Sequence, residues 1–252
     1  MDEDAGGGLP TLQRWLHGID DHVLRRCFVD RNAHRWWGDP VLVALDETLA
    51  ILEAAKPSGL GSKRRAFRTH RGTHQPAIEP LLPLRAELVV ASLLAEAAVP
   101  FRFNTGSGPD LLVGTGTPEF GIEISSRAPR SVRHLSRKPS DALRELARFV
   151  AAGVLRDERK VRQAQALPTV MVVDLSGSDL PDVRHWDTAF APLWQPGDTY
   201  LALGAMRCMT TVRTPEIRFS VNPYADQSAV ALVAGRLHDV PVLADLAGRR
   251  SR

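Results

Sequence analysis

The fold is decided by residues 85–127, which read RAELVVASLLAEAAVPFRFNTGSGPDLLVGTGTPEFGIEISSR. Near the end of this stretch, residues 121–125 alternate between large apolar side chains and polar or small ones. Side chains two positions apart in a strand face the same way. The alternation therefore predicts a strand whose isoleucines face a core and whose Glu123 and Ser125 share the opposite, polar face.

A second strand is predicted just upstream, in the apolar run 111–113 that follows Asp110. The Gly- and Thr-rich residues 114–118 have the composition of a hairpin turn. Pairing of the two strands would bring Asp110 and Glu123 together. Adjacent carboxylates repel each other and are costly to desolvate unless a cation lies between them. Either acid alone is more typical of a turn or a solvent-facing strand position, so the hypothesis of a functional site depends on the pair.

A third acid lies on a predicted helix. Apolar residues recur at helical spacing over residues 84–98, and Val99-Pro100 ends the pattern. Glu87 falls in the first turn of this helix, beside the apolar stripe. That position also suits a Glu that only complements the helix dipole.

Together these elements resemble the PD-(D/E)XK nuclease superfamily, the fold of restriction endonucleases and of many resolvases and repair nucleases. The residues that carry the resemblance are Glu87 on the helix, Pro109-Asp110 at the second strand and Glu123-Ile124-Ser125 on the third. Ser125 stands where the family places a Lys that positions the attacking water and stabilises developing charge. The resemblance extends over residues 84–176 and implies a restriction-endonuclease-like core.

The resemblance implies a metal-dependent DNA endonuclease, a hydrolase of phosphodiester bonds. Asp110, Glu123 and the backbone carbonyl of Ile124 would bind Mg²⁺ or Mn²⁺, hard ions that prefer oxygen ligands. Glu87 would orient the hydration shell of this ion or bind a second one. Ser125 can donate a hydrogen bond but cannot supply the positive charge of the missing Lys.

Two further candidates lie on a helix predicted over residues 157–167. Many relatives in the superfamily carry Lys and Gln on the helix that follows the Glu-x-Lys strand. We therefore predict that Lys160 and Gln163 point at the site and that Lys160 compensates for Ser125. The alternative is that both are surface residues of a helix dense in charge.

Basic residues are concentrated in two stretches that contain no acid, residues 54–78 and 124–140. Such stretches are typical of proteins that contact a phosphate backbone, although solvated loops have the same composition. We interpret residues 57–79, which include most of the first stretch, as a flexible basic loop. The candidate DNA-binding residues are Lys63, Arg64, Arg65, Arg127, Arg130, Arg133 and Lys138.

The composition is that of a globular protein. The chain has 252 residues, 44% of them hydrophobic and 24% charged, with a net charge of +3. The pattern of elements predicts an α/β protein with a mixed central sheet flanked by helices. We assign residues 1–60 to an N-terminal helical extension and residues 80–252 to the nuclease-like domain. Further strands are predicted over 101–104, 169–175, 200–209 and 216–221, and N-terminal helices over 9–29 and 41–56.

No apolar run approaches the length of a membrane span, and the acidic N-terminus does not resemble a secretory signal. These features predict a cytoplasmic protein that does not bind a membrane, and the resemblance implies that its partner is DNA. A homodimer, or partner proteins of a larger system, is left open. So are two other functions: a catalytically degenerate nuclease-like module that binds DNA or assembles a complex, and an unrelated α/β enzyme in which Asp110 and Glu123 are structural.

Overall fold

A computed structural model of the chain describes residues 8–16, 39–69, 81–126, 139–175, 183–207, 215–240 and 242–246. Its α-helices are α1 (Pro10–Trp15), α2 (Asp39–Ala55), α3 (Leu60–Thr69), α4 (Leu81–Glu96), α5 (Pro139–Val154), α6 (Glu158–Ala164), α7 (Trp186–Phe190) and α8 (Gln227–Leu237). Its strands are β1 (Phe101–Phe103), β2 (Leu111–Val113), β3 (Phe120–Ser126), β4 (Thr169–Asp174), β5 (Tyr200–Arg207) and β6 (Glu216–Val221). Short 3-10 helices span Val183–His185, Ala191–Leu193 and Ala244–Leu246.

The six strands form one mixed sheet in which they lie side by side in chain order. β1, β2 and β3 form an antiparallel meander, β4 and β5 add in parallel, and β6 returns antiparallel. β4 is buried along its whole length, which is why its sequence is almost continuously apolar. The predicted α/β class, with a mixed sheet flanked by helices, is confirmed.

Each face of the sheet buries its own hydrophobic core. One core joins the sheet to α1, α2, α4 and α8, and includes Ile122 and Ile124 of β3. The other joins it to α5, α6 and α7, and includes Met171 and Val173 of β4. Since Glu123 and Ser125 alternate with the two isoleucines along β3, they lie on the side of the second core. Both are buried, so the face predicted to be polar is covered by helices.

The N-terminal helices share the first core with α4 and the sheet, and α2 packs directly on α4. α2 agrees with the predicted helix 41–56. The helix predicted over 9–29 is described only as α1, which ends at Trp15, and residues 17–38 lie outside the described part of the chain. The division at residue 60 remains a prediction.

The interpretation of residues 57–79 as a flexible loop is wrong for residues 60–69, which form α3. The helix follows a turn at Gly59, whose positive φ of 85° suits a residue without a side chain. Leu60 and Ala66 pack against the first core. The sequence of α3 has few apolar residues, so it does not show the apolar stripe by which a helix is recognised from sequence.

Among the described residues, no helix has both the length and the apolar character needed to cross a membrane.

Candidate active site

The β2–β3 hairpin brings the two principal acids together, as predicted. Leu111 of β2 is opposite Ile122 of β3, so Asp110 enters the sheet beside Glu123. Asp110 Oδ2 accepts a hydrogen bond of 2.8 Å from the backbone N–H of Ile124. The two carboxyl groups are close enough for one, when protonated, to donate a hydrogen bond to the other.

A close contact between Pro109 and Gly121 fixes the start of β2. A Cβ atom at Gly121 would lie 2.3 Å from Cγ of Pro109, a distance that non-bonded carbons do not reach. The proline ring therefore occupies the space that any other residue at position 121 would need. This packing sets the position of the backbone at Asp110 relative to β3.

Lys160 supplies a positive charge beside these acids. Its Nζ lies 2.7 Å from Oε1 of Glu123, and the side chains of the two residues are 21% and 3% exposed. The structure thus brings Lys160 to the carboxylate pair, as the hypothesis of compensation for Ser125 requires. Ser125 lies two residues after Glu123 on β3 and is also buried.

Two contacts hold the backbone of Lys160 in place. Asp157 caps the N-terminus of α6, and its Oδ1 accepts hydrogen bonds from the N–H groups of Arg159 and Lys160 at 3.0 and 3.3 Å. The hydroxyl of Tyr200, at the start of β5, donates to the Lys160 carbonyl at 2.9 Å. The fully buried Tyr200 was not predicted as a site residue, and its position in an apolar strand gave no signal of this contact.

Gln163 contacts the chain next to the acids and not the acids themselves. Its Nε2 donates to the carbonyl of Gly108 at 3.4 Å, immediately before Pro109-Asp110. Within the described residues, Gln163 therefore connects α6 to the segment that carries Asp110.

Glu87 forms an ion pair with Lys63 that connects α4 to α3. Their side chains are only 14% and 15% exposed. Lys63 Nζ also lies 5.6 Å from the ring centroid of Phe103, in cation–π range. Lys63 was predicted to bind DNA from an open basic loop, whereas the structure places it against an acid of the candidate site.

The three acids act on one another electrostatically. Burial and the negative charge of Asp110 raise the pKa of Glu123 to about 7, against the opposing effect of Lys160. Burial and the charge of Asp110 likewise raise the pKa of Glu87 to about 7, against the effect of Lys63. The pKa of Asp110 is raised by burial, in opposition to the Ile124 N–H and to both lysines. The acids and lysines thus form one electrostatic cluster.

These pKa shifts predict that the metal-free protein loses stability as the pH rises. A carboxyl group with a pKa of about 7 in the folded state and an ordinary value of 4.5 binds more protons folded than unfolded between these limits. The free energy of unfolding should therefore fall as the pH rises from 4.5 to 7, by up to about 1.4 kcal/mol per pH unit for one group. Urea denaturation across this range, in EDTA, measures the slope.

Glu123→Gln is the matched variant for this measurement because it removes one titrating group and keeps the shape of the side chain. We expect a shallower fall in stability with pH than in the wild type. Parallel curves for the two proteins would show that Glu123 does not titrate in this range.

The carboxylate pair fits a divalent cation in its chemistry. Oε2 of Glu123 is buried and has no hydrogen-bond partner among the described residues, so one hard oxygen ligand is available. Asp110 and the Ile124 carbonyl are the other candidate ligands. Within the described residues, however, no three His, Cys, Asp or Glu side chains are arranged to hold a metal. A cation would therefore depend on two carboxylates, the backbone and water, and Glu87 would stay with Lys63.

The remaining candidate DNA-binding residues are only partly described. Arg64 donates to the Arg14 carbonyl at 2.9 Å and lies 3.9 Å from Glu53. Arg65 is exposed and donates to Ser62 Oγ at 3.0 Å. The other four lie outside the described residues: Arg127, Arg130, Arg133 and Lys138.

Comparison of the chain with models of protein families, with curated proteins and with solved structures finds no match in any of the three.

Proposed function

We propose that the protein is a metal-dependent DNA endonuclease of the PD-(D/E)XK type. The observation that carries this proposal is the contact between Lys160 and Glu123, at 2.7 Å, beside Asp110. The buried carboxylate of Glu123 and the partly buried carboxylate of Asp110, with an ammonium group next to them, combine a cation site with a fixed positive charge. Both features favour hydrolysis of a phosphodiester, because they stabilise the negative charge that accumulates on the phosphate in the transition state.

The order and pairing of the elements support a restriction-endonuclease-like core. The resemblance implies a helix, three strands, a helix and a fourth strand. Here α4 precedes the antiparallel β1–β3 meander, and α5 and α6 precede β4, which pairs in parallel with β3. Glu87 on α4, Asp110 directly before β2 and Glu123 on β3 support this proposal. Fold alone does not determine a reaction, so the function rests on the site.

Asp110, Glu123 and the backbone carbonyl of Ile124 would hold Mg²⁺ or Mn²⁺. An ion held there would supply Lewis-acid activation of water and positive charge opposite the reacting phosphate. The Ile124 N–H fixes the Asp110 carboxylate, and Lys160 fixes Glu123. Glu123 is buried and Asp110 is partly buried, which reduces contact with bulk water and strengthens their attraction for a cation.

Lys160 has the role that the motif gives to the residue at position 125. Its ammonium group can orient the attacking water and stabilise charge that develops on a phosphate oxygen. Ser125 contributes at most a hydrogen bond. Gln163 keeps the Gly108–Asp110 segment against α6 through its contact with the Gly108 carbonyl.

The proposed substrate is DNA held through its phosphates by the basic residues, and the proposed location is the cytoplasm. Arg65 is the exposed member of this set on α3. Phosphate contacts of this kind confer affinity without sequence preference. The second candidate function is DNA binding without catalysis by a degenerate nuclease-like module, because Ser125 stands where the motif has a Lys.

Cleavage assays distinguish the two functions. Supercoiled plasmid and single-stranded DNA are incubated with the protein and Mg²⁺, Mn²⁺ or EDTA, and binding is followed at several salt concentrations. The endonuclease predicts cutting that requires the metal. Salt-sensitive binding without cutting would support the module and contradict the endonuclease.

A further inference from the structure

Lys63 and Lys160 each pair with a different acid of the cluster, Lys63 with Glu87 and Lys160 with Glu123. Lys63 lies against β1, which pairs with β2, the strand that directly follows Asp110. The charges of both lysines lower the pKa of Asp110. Lys63 therefore pairs with Glu87, the acid to which the resemblance gives a metal role, beside the strands that carry the other two acids.

The helix that carries Lys63 is fixed to the sheet. The N–H of Phe103 in β1 donates to the Ser58 carbonyl at 2.9 Å. A Cβ atom at Gly59 would lie 2.7 Å from the Phe103 carbonyl oxygen, so the turn before α3 packs directly on β1. Lys63 is thus held at its position by the backbone as well as by Glu87.

Lysine is rare in this sequence, yet it is the residue at both positions 63 and 160. Lys and Arg together number 32, and only four of them are lysines: Lys56, Lys63, Lys138 and Lys160. Two of these four lie in the acid cluster. A lysine ammonium is a compact point charge, comparable in size to a metal ion, whereas the guanidinium of arginine is a planar fork.

The charges of the cluster limit how many ions it accepts. Glu87 and Lys63 neutralise each other, which leaves the two charges of Asp110 and Glu123 for one divalent cation. The charge of Lys160 then offsets that of a phosphodiester. A second divalent ion would leave two positive charges in excess in a buried region, which is unfavourable.

We infer that Lys63 occupies the place of a second metal ion, so that the site uses one divalent cation and the Lys63 ammonium contacts the substrate phosphate opposite it. This inference rests on the proposed endonuclease function. It makes Lys63 a catalytic residue and Glu87 the residue that positions it. In this arrangement Glu87 pairs with Lys63, and it neither binds a second ion nor orients the hydration shell of the first.

The test compares Mn²⁺ binding and DNA cleavage in the wild type and in Lys63→Met, which removes the charge and keeps an unbranched side chain of similar size. Calorimetry without DNA gives the number and affinity of bound Mn²⁺ ions, and plasmid assays give the rate at saturating Mn²⁺. We expect one ion in the wild type. In Lys63→Met we expect tighter binding or a second ion, because Glu87 is released, together with a rate lower by about 100-fold.

Opposite changes in metal binding and cleavage separate this role from a structural one, which would weaken both. Arg144→Met is the control, because Arg144 is exposed on α5, outside the acid cluster and the candidate DNA-binding residues, and should leave both measurements unchanged. The double variant Lys63→Met/Glu87→Gln removes both charges of the pair, so it folds even if an unpaired Glu87 does not. It should bind one ion and cleave slowly.

Two ions bound by the wild type would overturn the inference. So would cleavage and Mn²⁺ binding in both Lys63 variants equal to those of the wild type, while the endonuclease itself would stand. A wild type that neither binds Mn²⁺ nor cuts DNA would overturn the endonuclease and the inference together.

Discussion

Glu123→Gln should lower metal-dependent DNA cleavage by on the order of 10³-fold, because the amide cannot supply the charge that holds a cation. The protein should still fold. Oε1 of the amide can accept the hydrogen bond that Lys160 Nζ now donates at 2.7 Å. The neutral side chain is also easier to bury than the carboxylate, whose pKa burial raises to about 7. Loss of activity without loss of stability is therefore the expected pattern.

Initial cleavage rates over a range of Mg²⁺ concentrations measure this effect, with calorimetric Mn²⁺ binding and urea denaturation alongside. Glu158→Gln is a suitable control because Glu158 is an exposed acid at the start of α6, outside the cluster. The control should cleave DNA like the wild type. Cleavage by Glu123→Gln within a few fold of the wild type would show that Glu123 does not bind the catalytic metal.

Lys160→Met should reduce cleavage by about 100-fold or more and should also destabilise the protein. Removal of one partner of a buried ion pair leaves an uncompensated charge, which costs about 3 kcal/mol when the remaining group stays ionised. Lys160 lowers the pKa of Glu123, so its removal raises that pKa further above the ordinary value. The loss of stability should thus be larger at pH 8 than at pH 5.5, where Glu123 takes up a proton.

Urea denaturation at the two pH values and plasmid cleavage at pH 8 with Mg²⁺ test this expectation. Lys160→Arg retains the charge and should recover most of the stability but only part of the rate, because the guanidinium differs in shape. Arg159→Met, which alters an exposed neighbour on α6, is the control. Equal rates for Lys160→Met and the wild type would contradict the role of Lys160 in replacing the motif Lys.

The parts of the site that were predicted from sequence depend on local patterns. The two-residue alternation of β3 and the Pro109-Asp110 opening of β2 follow from how a hairpin is built, and they were sufficient to place Asp110 beside Glu123. The helix predicted over residues 157–167 corresponds to α6 and placed Lys160 on a helix after β3. The apolar run of β4 likewise identified a central strand.

The parts that were missed depend on contacts between distant segments. α3 has few apolar residues, so the sequence did not predict its helical state or the contact of Lys63 with Glu87, which connects it to α4. The alternation along β3 separates two faces but does not say that helices cover both, which is why the burial of Glu123 was not predicted. The hydrogen bond from Tyr200 to Lys160 connects residues 40 positions apart.

Contacts within the β2–β3 hairpin and contacts made by the lysines also differ in when they can form as the chain folds. Asp110 and Ile124 are separated by 14 positions, whereas Lys160 and Glu123 are separated by 37. The hairpin can therefore assemble the acids before either lysine reaches them. During that interval the acids have no internal counter-charge, so a shortened chain that retained the hairpin but lacked α3 or α6 would carry a source of repulsion at its centre.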